Sequence, residues 1–394
     1  MTAKRLATIT ALLTLWAWCA QARPLNDSVS FEVLPLAETQ PSKPGFWKKV
    51  GNYLMGGGND STVNTRKTRF SIIGGPHYDS QAGLGLGVVG NVMFHMKGCD
   101  SLMQPSNAAV TGDISLKGFW SLSLRSNLLF PDDKMRINVD AVLTYSPTNY
   151  WGMGYEMASN NNNRTPMKKL DFVVTANVLW RLAPGFYIGP IAQWDYTHTD
   201  ALDRPELLEG DDRTVRNYGA GIVIDYDTRD YITGASRGLY IHLAQLLRPK
   251  WLGNHYHYYT TNAKIAYYHK AWRGAIVAGE LTGIFNWGGY PSWAGMASLG
   301  DNYSMRGYYP GRFNDKHLLA AQVELRQHIW GPLGMAAWCG AGMVFHDSHS
   351  MRHVLPNGGV GLRWAIRPHT NIRIDFGIGS KRNNGFIFTV NEAF

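Results

Sequence analysis

The chain has 394 residues, of which 17% are charged, against about 25% in an ordinary soluble domain. Its mean hydropathy is slightly negative and no run of about 18 apolar residues follows residue 22, which excludes a helical membrane protein but not a membrane β-barrel, whose lumen-facing residues dilute its lipid-facing ones. The formal charge of +9 is spread over strand-like segments and turns without a dense Lys/Arg cluster among aromatics. That distribution fits contact with anionic lipid or solvated strand ends, and no nucleic-acid partner is expected.

Residues 1–22 read as a secretory signal peptide: Lys4 and Arg5, an apolar core from Leu6 to Trp18, then Ala20-Gln21-Ala22 as a small-x-small cleavage site. Cys19 follows Trp18 rather than the small residue of a lipobox, so it belongs to the leader. The mature chain is expected to start near Arg23 and to be exported. Residues 23–65 form a short, polar, Pro/Gly-rich periplasmic segment. Within it, Phe46, Trp47, Val50 and Leu54 would share one side of a brief helix. Gly56-Gly57-Gly58 is a linker and not a phosphate loop, because no Gly-Lys-Ser/Thr follows. A docking element for a periplasmic or membrane protein partner and a loosely ordered tail both fit this segment.

From residue 66 to 394 the pattern is strands. Tyr218, Ala220, Ile222, Ile224 and Tyr226 alternate with Gly219, Gly221, Val223 and Asp225. Val360, Leu362, Trp364 and Ile366 alternate with Gly361, Arg363 and Ala365, and Ile372, Ile374, Phe376 and Ile378 alternate with Arg373, Asp375 and Gly377. Arg or Lys against lipid costs about 2–4 kcal/mol at mid-membrane, so the apolar sets must face outward. Roughly sixteen such segments occur, joined alternately by tight turns (182–185, 331–333, 367–369) and long loops (147–166, 199–214, 287–316). Trp120, Trp151, Trp180, Trp194, Trp251, Trp272, Trp287 and Trp330 fall near predicted strand ends, as an aromatic girdle requires.

No chemistry is legible. Cys99 and Cys339 sit in elements far apart in the chain and are expected to stay unpaired, and no Cys/His zinc spacing exists. His346, His349 and His353 have loose ligand spacing but read as an exposed loop. No Gly-x-Ser-x-Gly elbow is present. No catalytic residue, metal or cofactor is expected.

One stretch differs from the rest. A long Gly/Asn/Tyr-rich loop carries Met305-Arg306-Gly307-Tyr308 at its centre and runs into a strand with Gln322, Glu324 and Arg326 on its polar face. A desolvated guanidinium demands a carboxylate partner. Together with Val323-Glu324-Leu325-Arg326, Asp225–Tyr231 followed by 234–240, Gly361-Leu362-Arg363-Trp364 and the terminal Phe394, this loop resembles the bacterial surface antigen superfamily, whose barrels include BamA, TamA and two-partner secretion transporters. The resemblance spans roughly the last 325 residues.

It implies an all-β fold: a sixteen-stranded antiparallel transmembrane β-barrel in the outer membrane of a Gram-negative bacterium, with a long outer loop folded inward. Arg306, Gly307 and Tyr308 would form the lumen motif, with Glu324 as inner-wall partner. The family's aromatic-x-Asp-x-Gly is here Trp338-Cys-Gly-Ala-Gly342, with Gly340 in place of Asp. Either Glu324 alone neutralises Arg306, or another carboxylate such as Asp375 substitutes. The stretch 23–65 is too short for even one POTRA domain of the family's kind. The end strand places Phe386, Phe388, Val390 and Phe394 on one face, interrupted by Glu392 near the periplasmic rim, and resembles the signal read by the barrel-assembly machinery. The implied function is to assist insertion or translocation of protein or lipid through a weak seam between first and last strands, with outer-membrane lipid, lipopolysaccharide included, as surroundings. A passive or plugged channel, or a structural surface-antigen subunit of a larger complex, are the alternatives.

Overall fold

A computed structural model describes residues 68–79, 82–99, 103–232, 234–367, 370–381, 383–390 and 392–394. The expected leader and the 23–65 segment with its amphipathic piece lie outside the described residues. Eighteen strands follow one another. They are β1 (Arg69–Asp79), β2 (Gly83–Phe94), β3 (Ser106–Ser115), β4 (Trp120–Leu129), β5 (Met135–Tyr150) and β6 (Thr165–Ala183). Next come β7 (Phe186–Leu202), β8 (Thr214–Asp227), β9 (Gly238–Arg248), β10 (Tyr258–Trp272), β11 (Ala275–Trp287) and the short β12 (Ala297–Leu299) and β13 (Phe313–Asp315). The last five are β14 (His317–Trp330), β15 (Leu333–Phe345), β16 (Leu355–Arg367), β17 (Thr370–Gly379) and β18 (Asn384–Val390).

Sixteen of them form a single sheet in chain order, each antiparallel to its neighbours, while β12 and β13 pair with each other apart from it. The sheet curls until Cα atoms of β1 and β18 lie within 8 Å of each other. No backbone ladder joins these two strands among the described residues.

The pleat sorts side chains as the alternation requires. Leu86, Ile222 and Val360 are 57%, 56% and 56% exposed, whereas Val223, Arg363, Arg373 and Asp375 on the opposite faces are buried. The outward set forms the apolar wall and the inward set the lumen. Trp120, Trp180, Trp194, Trp251, Trp272, Trp287 and Trp330 are exposed. Trp151 is a correction to the girdle: it is 3% exposed, packed edge-on against Tyr309 and beneath Arg312. It follows the last residue of β5, so the pleat no longer points it outward, and the neighbouring loops close over it.

The long connections 151–164, 203–213, 249–257, 288–316 and 346–354 share one side of the sheet, opposite the turns 184–185, 273–274 and 331–332. That pattern has two departures on the short-turn side, 95–105 and 228–237. The second is a folded corner. One carboxylate oxygen of Asp230 accepts the N–H groups of Tyr231, Ser236 and Arg237, the other accepts the Ser236 hydroxyl, and Arg229 reaches back to Asp227. Because the strand number is even, the sheet starts and ends on this side.

Candidate functional site

The 288–316 excursion leaves the rim after β11, dips into the lumen and returns to β14. Its β12–β13 hairpin pairs Ala297 with Asp315 and Leu299 with Phe313. Leu299, Met305, Tyr308 and Phe313 bury themselves against Leu318, Ala320, Val344 and Leu355 of the wall. Met305 (φ 50°) and Gly307 (φ 101°) both take left-handed conformations around Arg306, the first at a steric cost that packing must offset and the second at little cost.

The loop fits because several inward positions of the wall beneath it are glycines. Gly340, Gly342, Gly359, Gly361, Gly377 and Gly379 occupy inward positions of β15, β16 and β17. A Cβ on Gly377 would lie 2.5 Å from the Arg306 carbonyl oxygen, one on Gly307 would lie 2.5 Å from the Gly377 carbonyl carbon, and one on Gly379 would lie 2.6 Å from the Tyr308 ring. Main chain therefore rests directly on main chain.

On this wall the Arg306 side chain is wholly buried. Its Nη2 donates to Glu324 Oε2 at 2.5 Å and its Nη1 to Asp375 Oδ2 at 2.7 Å. Its guanidinium carbon sits 3.7 Å from the Trp338 ring centre, and Asn357 Nδ2 donates to its carbonyl oxygen at 2.7 Å. Tyr308 continues the anchorage: its hydroxyl donates to the Pro356 carbonyl at 2.6 Å and accepts the Ser380 N–H at 2.9 Å.

Of the two ways to neutralise Arg306, the geometry has both carboxylates present, Glu324 and Asp375. Position 340 has no room for a side chain: its Cβ would meet the Ala321 carbonyl at 2.7 Å, Asn357 Oδ1 at 2.8 Å and Gln322 Cβ at 2.9 Å. The carboxylate comes instead from β17, two strands further round.

Sequence reasoning singled out one pair, and the structure holds a network. Arg326 Nε donates to Glu324 Oε1 at 2.7 Å, Arg363 Nη1 to Asp375 Oδ1 at 2.5 Å and Arg363 Nε to Glu392 Oε2 at 2.9 Å. Arg373 donates to the Asn302 carbonyl at 2.5 Å and lies 3.6 Å from Asp375. Arg326, Arg363, Arg373 and Glu392 were missed as partners, although the first three stand on the polar faces of alternating strands. Their convergence depends on the curl of the sheet.

Two expectations for the chain end are corrected. Glu392 does not interrupt an apolar face, and Phe394 does not share the face of Phe386 and Phe388. Phe386 and Phe388 are exposed on the outer side, but β18 ends at Val390 and the alternation ends with it. Glu392 is buried between Arg363 and Arg326. Phe394 packs beside Tyr268 and beneath Arg326, whose Nη2 donates to the Phe394 main-chain oxygen at 2.7 Å. Buried guanidinium groups draw the chain inward after the ladder stops.

The opposite wall carries polar side chains that stay wet. Arg125 and Asp140 meet at 2.7 Å across β4 and β5 with 62% and 46% of their side chains exposed, while Asn127 pairs with Asn107 and Asn138 with Asn177, both at 2.9 Å. Over the lumen the outer loops interlock. The Tyr309 hydroxyl accepts from Asn149 N–H and Nδ2 and meets Thr148, Arg312 reaches the Ala158 carbonyl and Asn161, and Trp293 N–H donates to Asp211. No group of His, Cys, Asp and Glu suited to a metal occurs among the described residues. Cys99 and Cys339 are both free thiols. What this arrangement does physically is brace a loop against one half of a barrel.

Fold and loop together define a sixteen-stranded antiparallel barrel with an arginine-centred loop bound in its lumen. No family model matches the chain, and no curated protein matches its sequence. Among solved structures it is similar to BamA from Haemophilus ducreyi lacking POTRA domains 1–3, with 11% identity and a TM-score of 0.53 over 82% of this chain and 70% of that one. It is also similar to CdiB from Acinetobacter baumannii (10% identity, TM-score 0.53, 83% of this chain and 60% of that one). CdiB from Escherichia coli gives 12% identity and a TM-score of 0.53 over 81% and 61% of the two chains. The chain thus spans about three fifths of the CdiB length, and the likeness is one of fold.

Proposed function

We propose that this protein works in the outer membrane of a Gram-negative bacterium as a non-enzymatic barrel of the BamA/TamA kind, assisting insertion or translocation of protein or lipid. The observation that carries this reading is the seam: β1 and β18 lie side by side without a backbone ladder among the described residues. Backbone N–H and C=O groups facing hydrocarbon cost several kcal/mol each when left without partners, so a seam that parts there would favour pairing with a strand from another chain. The buried brace keeps β14–β18 rigid while the seam separates. Residues 23–65 would dock a periplasmic or membrane partner, and the barrel-assembly machinery would read Phe386, Phe388, Val390 and Phe394 during biogenesis. Depletion followed by outer-membrane proteomics tests the reading. A subset of outer-membrane proteins or lipids should fall, and a variant with a disulfide locking β1 to β18 should fail to restore them until reduced. An unaltered profile after depletion removes the proposal.

The water-accessible Arg125 wall favours a second reading, a channel held shut by the loop. Planar-bilayer conductance before and after deletion of residues 291–314 separates the two. Current only after deletion marks a plug, and current from the intact protein marks a channel.

A further inference from the structure

The long-loop rim carries a polar cleft that neither the brace nor the seam uses. It lies between the 203–213 and 249–257 connections, lined by Asp212, Arg216, Lys250, Asn254, His255 and Ser292. The cleft is built, not incidental. Asn254 clamps the 249–257 connection to β8, its Oδ1 accepting from Tyr218 N–H at 2.7 Å and its Nδ2 donating to the Tyr218 and Pro249 carbonyls at 2.9 Å. Asp211 is held by the Tyr256 hydroxyl and by Trp293 N–H. The hydrogen bond to that carboxylate pushes the Tyr256 phenol up to about 12. Ser292 is 2% exposed and lines the cleft with an Oγ that has no partner, a state that buried hydroxyls seldom keep.

Its height relative to the membrane is readable. Arg216 points to the outer face two residues beyond Tyr218, about 7 Å further toward the loops. Tyr218 stacks on Trp194 with ring centres 6.2 Å apart and planes 5° from parallel, and Phe172 meets Trp194 edge-on at 5.1 Å. Such a row marks the hydrocarbon boundary, so Arg216 and Lys250 stand at headgroup level. Trp251, 84% exposed, projects from the same rim.

We propose that this cleft binds the phosphorylated sugar headgroup of an outer-leaflet glycolipid of the lipopolysaccharide class. Arg216 and Lys250, both exposed, meet the phosphate, since a guanidinium offers two parallel donors to phosphate oxygens and an ammonium a point charge. Ser292, Asp212 and His255 hydrogen-bond sugar hydroxyls, and Trp251 with the Trp194–Tyr218 row rests among the acyl chains. A glycerophospholipid headgroup would satisfy the two bases but leave the inner polar groups unmatched.

This inference rests on the outer-membrane placement, not on the seam. The full-length protein in mild detergent is mixed with lipopolysaccharide, with its dephosphorylated form, with phosphatidylglycerol or with inorganic phosphate, and retained lipid is counted by native mass spectrometry. Wild type should retain one phosphorylated glycolipid. R216A/K250A should lower retention at least tenfold, and S292A several-fold, with heat-modifiability on gels unchanged. Equal retention by wild type and R216A/K250A overturns the proposal, as does displacement by phosphatidylglycerol or inorganic phosphate at equal concentration. A barrel found in the outer membrane that holds no glycolipid sinks this inference alone. A barrel absent from that membrane sinks the functional reading too.

Discussion

Inside one barrel two ion pairs of nearly equal length mean different things. Arg125 and Asp140 meet at 2.7 Å on the β4–β5 wall, largely exposed to water. Arg306 and Glu324 meet at 2.5 Å on the β14 wall, with neither side chain exposed. The chemistry is the same and the surroundings decide its weight. Where the wall bears full side chains, the lumen stays wet, and an exposed pair contributes little. Where β15–β17 present glycines inward, the Arg306 loop fills the space and expels water. Charges there need partners, and three carboxylates, Glu324, Asp375 and Glu392, are shared among four guanidinium groups, Arg306, Arg326, Arg363 and Arg373, the last also donating to the Asn302 carbonyl. The missing Cβ atoms, as much as the charges, create the buried network.

The contrast can be broken by substitution. The largest effect is expected for Glu324→Ala or Arg306→Ala, which strand a buried charge at about 3–5 kcal/mol. Both should lower folded yield, seen as loss of heat-modifiability on gels, and unchanged mobility for both would dissolve the distinction between the walls. Gly377→Ala comes next: the added methyl meets the Arg306 carbonyl, and overpacking of this kind costs about 1–3 kcal/mol. Limited proteolysis from the outer side should then cut within 299–312 faster than in wild type.

Tyr309→Phe removes the hydroxyl that ties the loop to Thr148 and Asn149, a loss of about 1 kcal/mol. Faster cleavage of the outer loops with a slightly lowered urea midpoint is the expected result, and unchanged cleavage would show that the bond does not hold the mouth of the barrel. Arg125→Ala should be the mildest, within about 1 kcal/mol. A urea midpoint shifted as far as that of Glu324→Ala would show the β4–β5 wall to be dry and the comparison wrong.

Much of this was legible along the chain. A period of two in Tyr218–Tyr226, Leu319–Arg326 and Val360–Ala365 assigns faces without reference to any neighbour, because the pleat is local. The lone arginine between Met305 and Gly307 announces a buried charge in need of a carboxylate. Trp151, Glu392 and Phe394 were misread for a common reason: each stands just past the end of a ladder, where alternation no longer dictates direction. Gly340 was legible as an empty acidic position, but the reason for its emptiness, Asn357 and the Ala321 carbonyl pressed against it, lies on neighbouring strands.

The sequence by itself determined the strands, their lipid-facing sides and the presence of one inward-seeking arginine, since these follow from hydrophobic periodicity and the cost of an unpaired charge. Tertiary structure alone decided which carboxylates answer that arginine. It also decided which half of the lumen stays wet, and that the last residues turn inward. Those outcomes depend on which strands the curl of the sheet sets face to face with the loop, and that distance is not written in any local pattern.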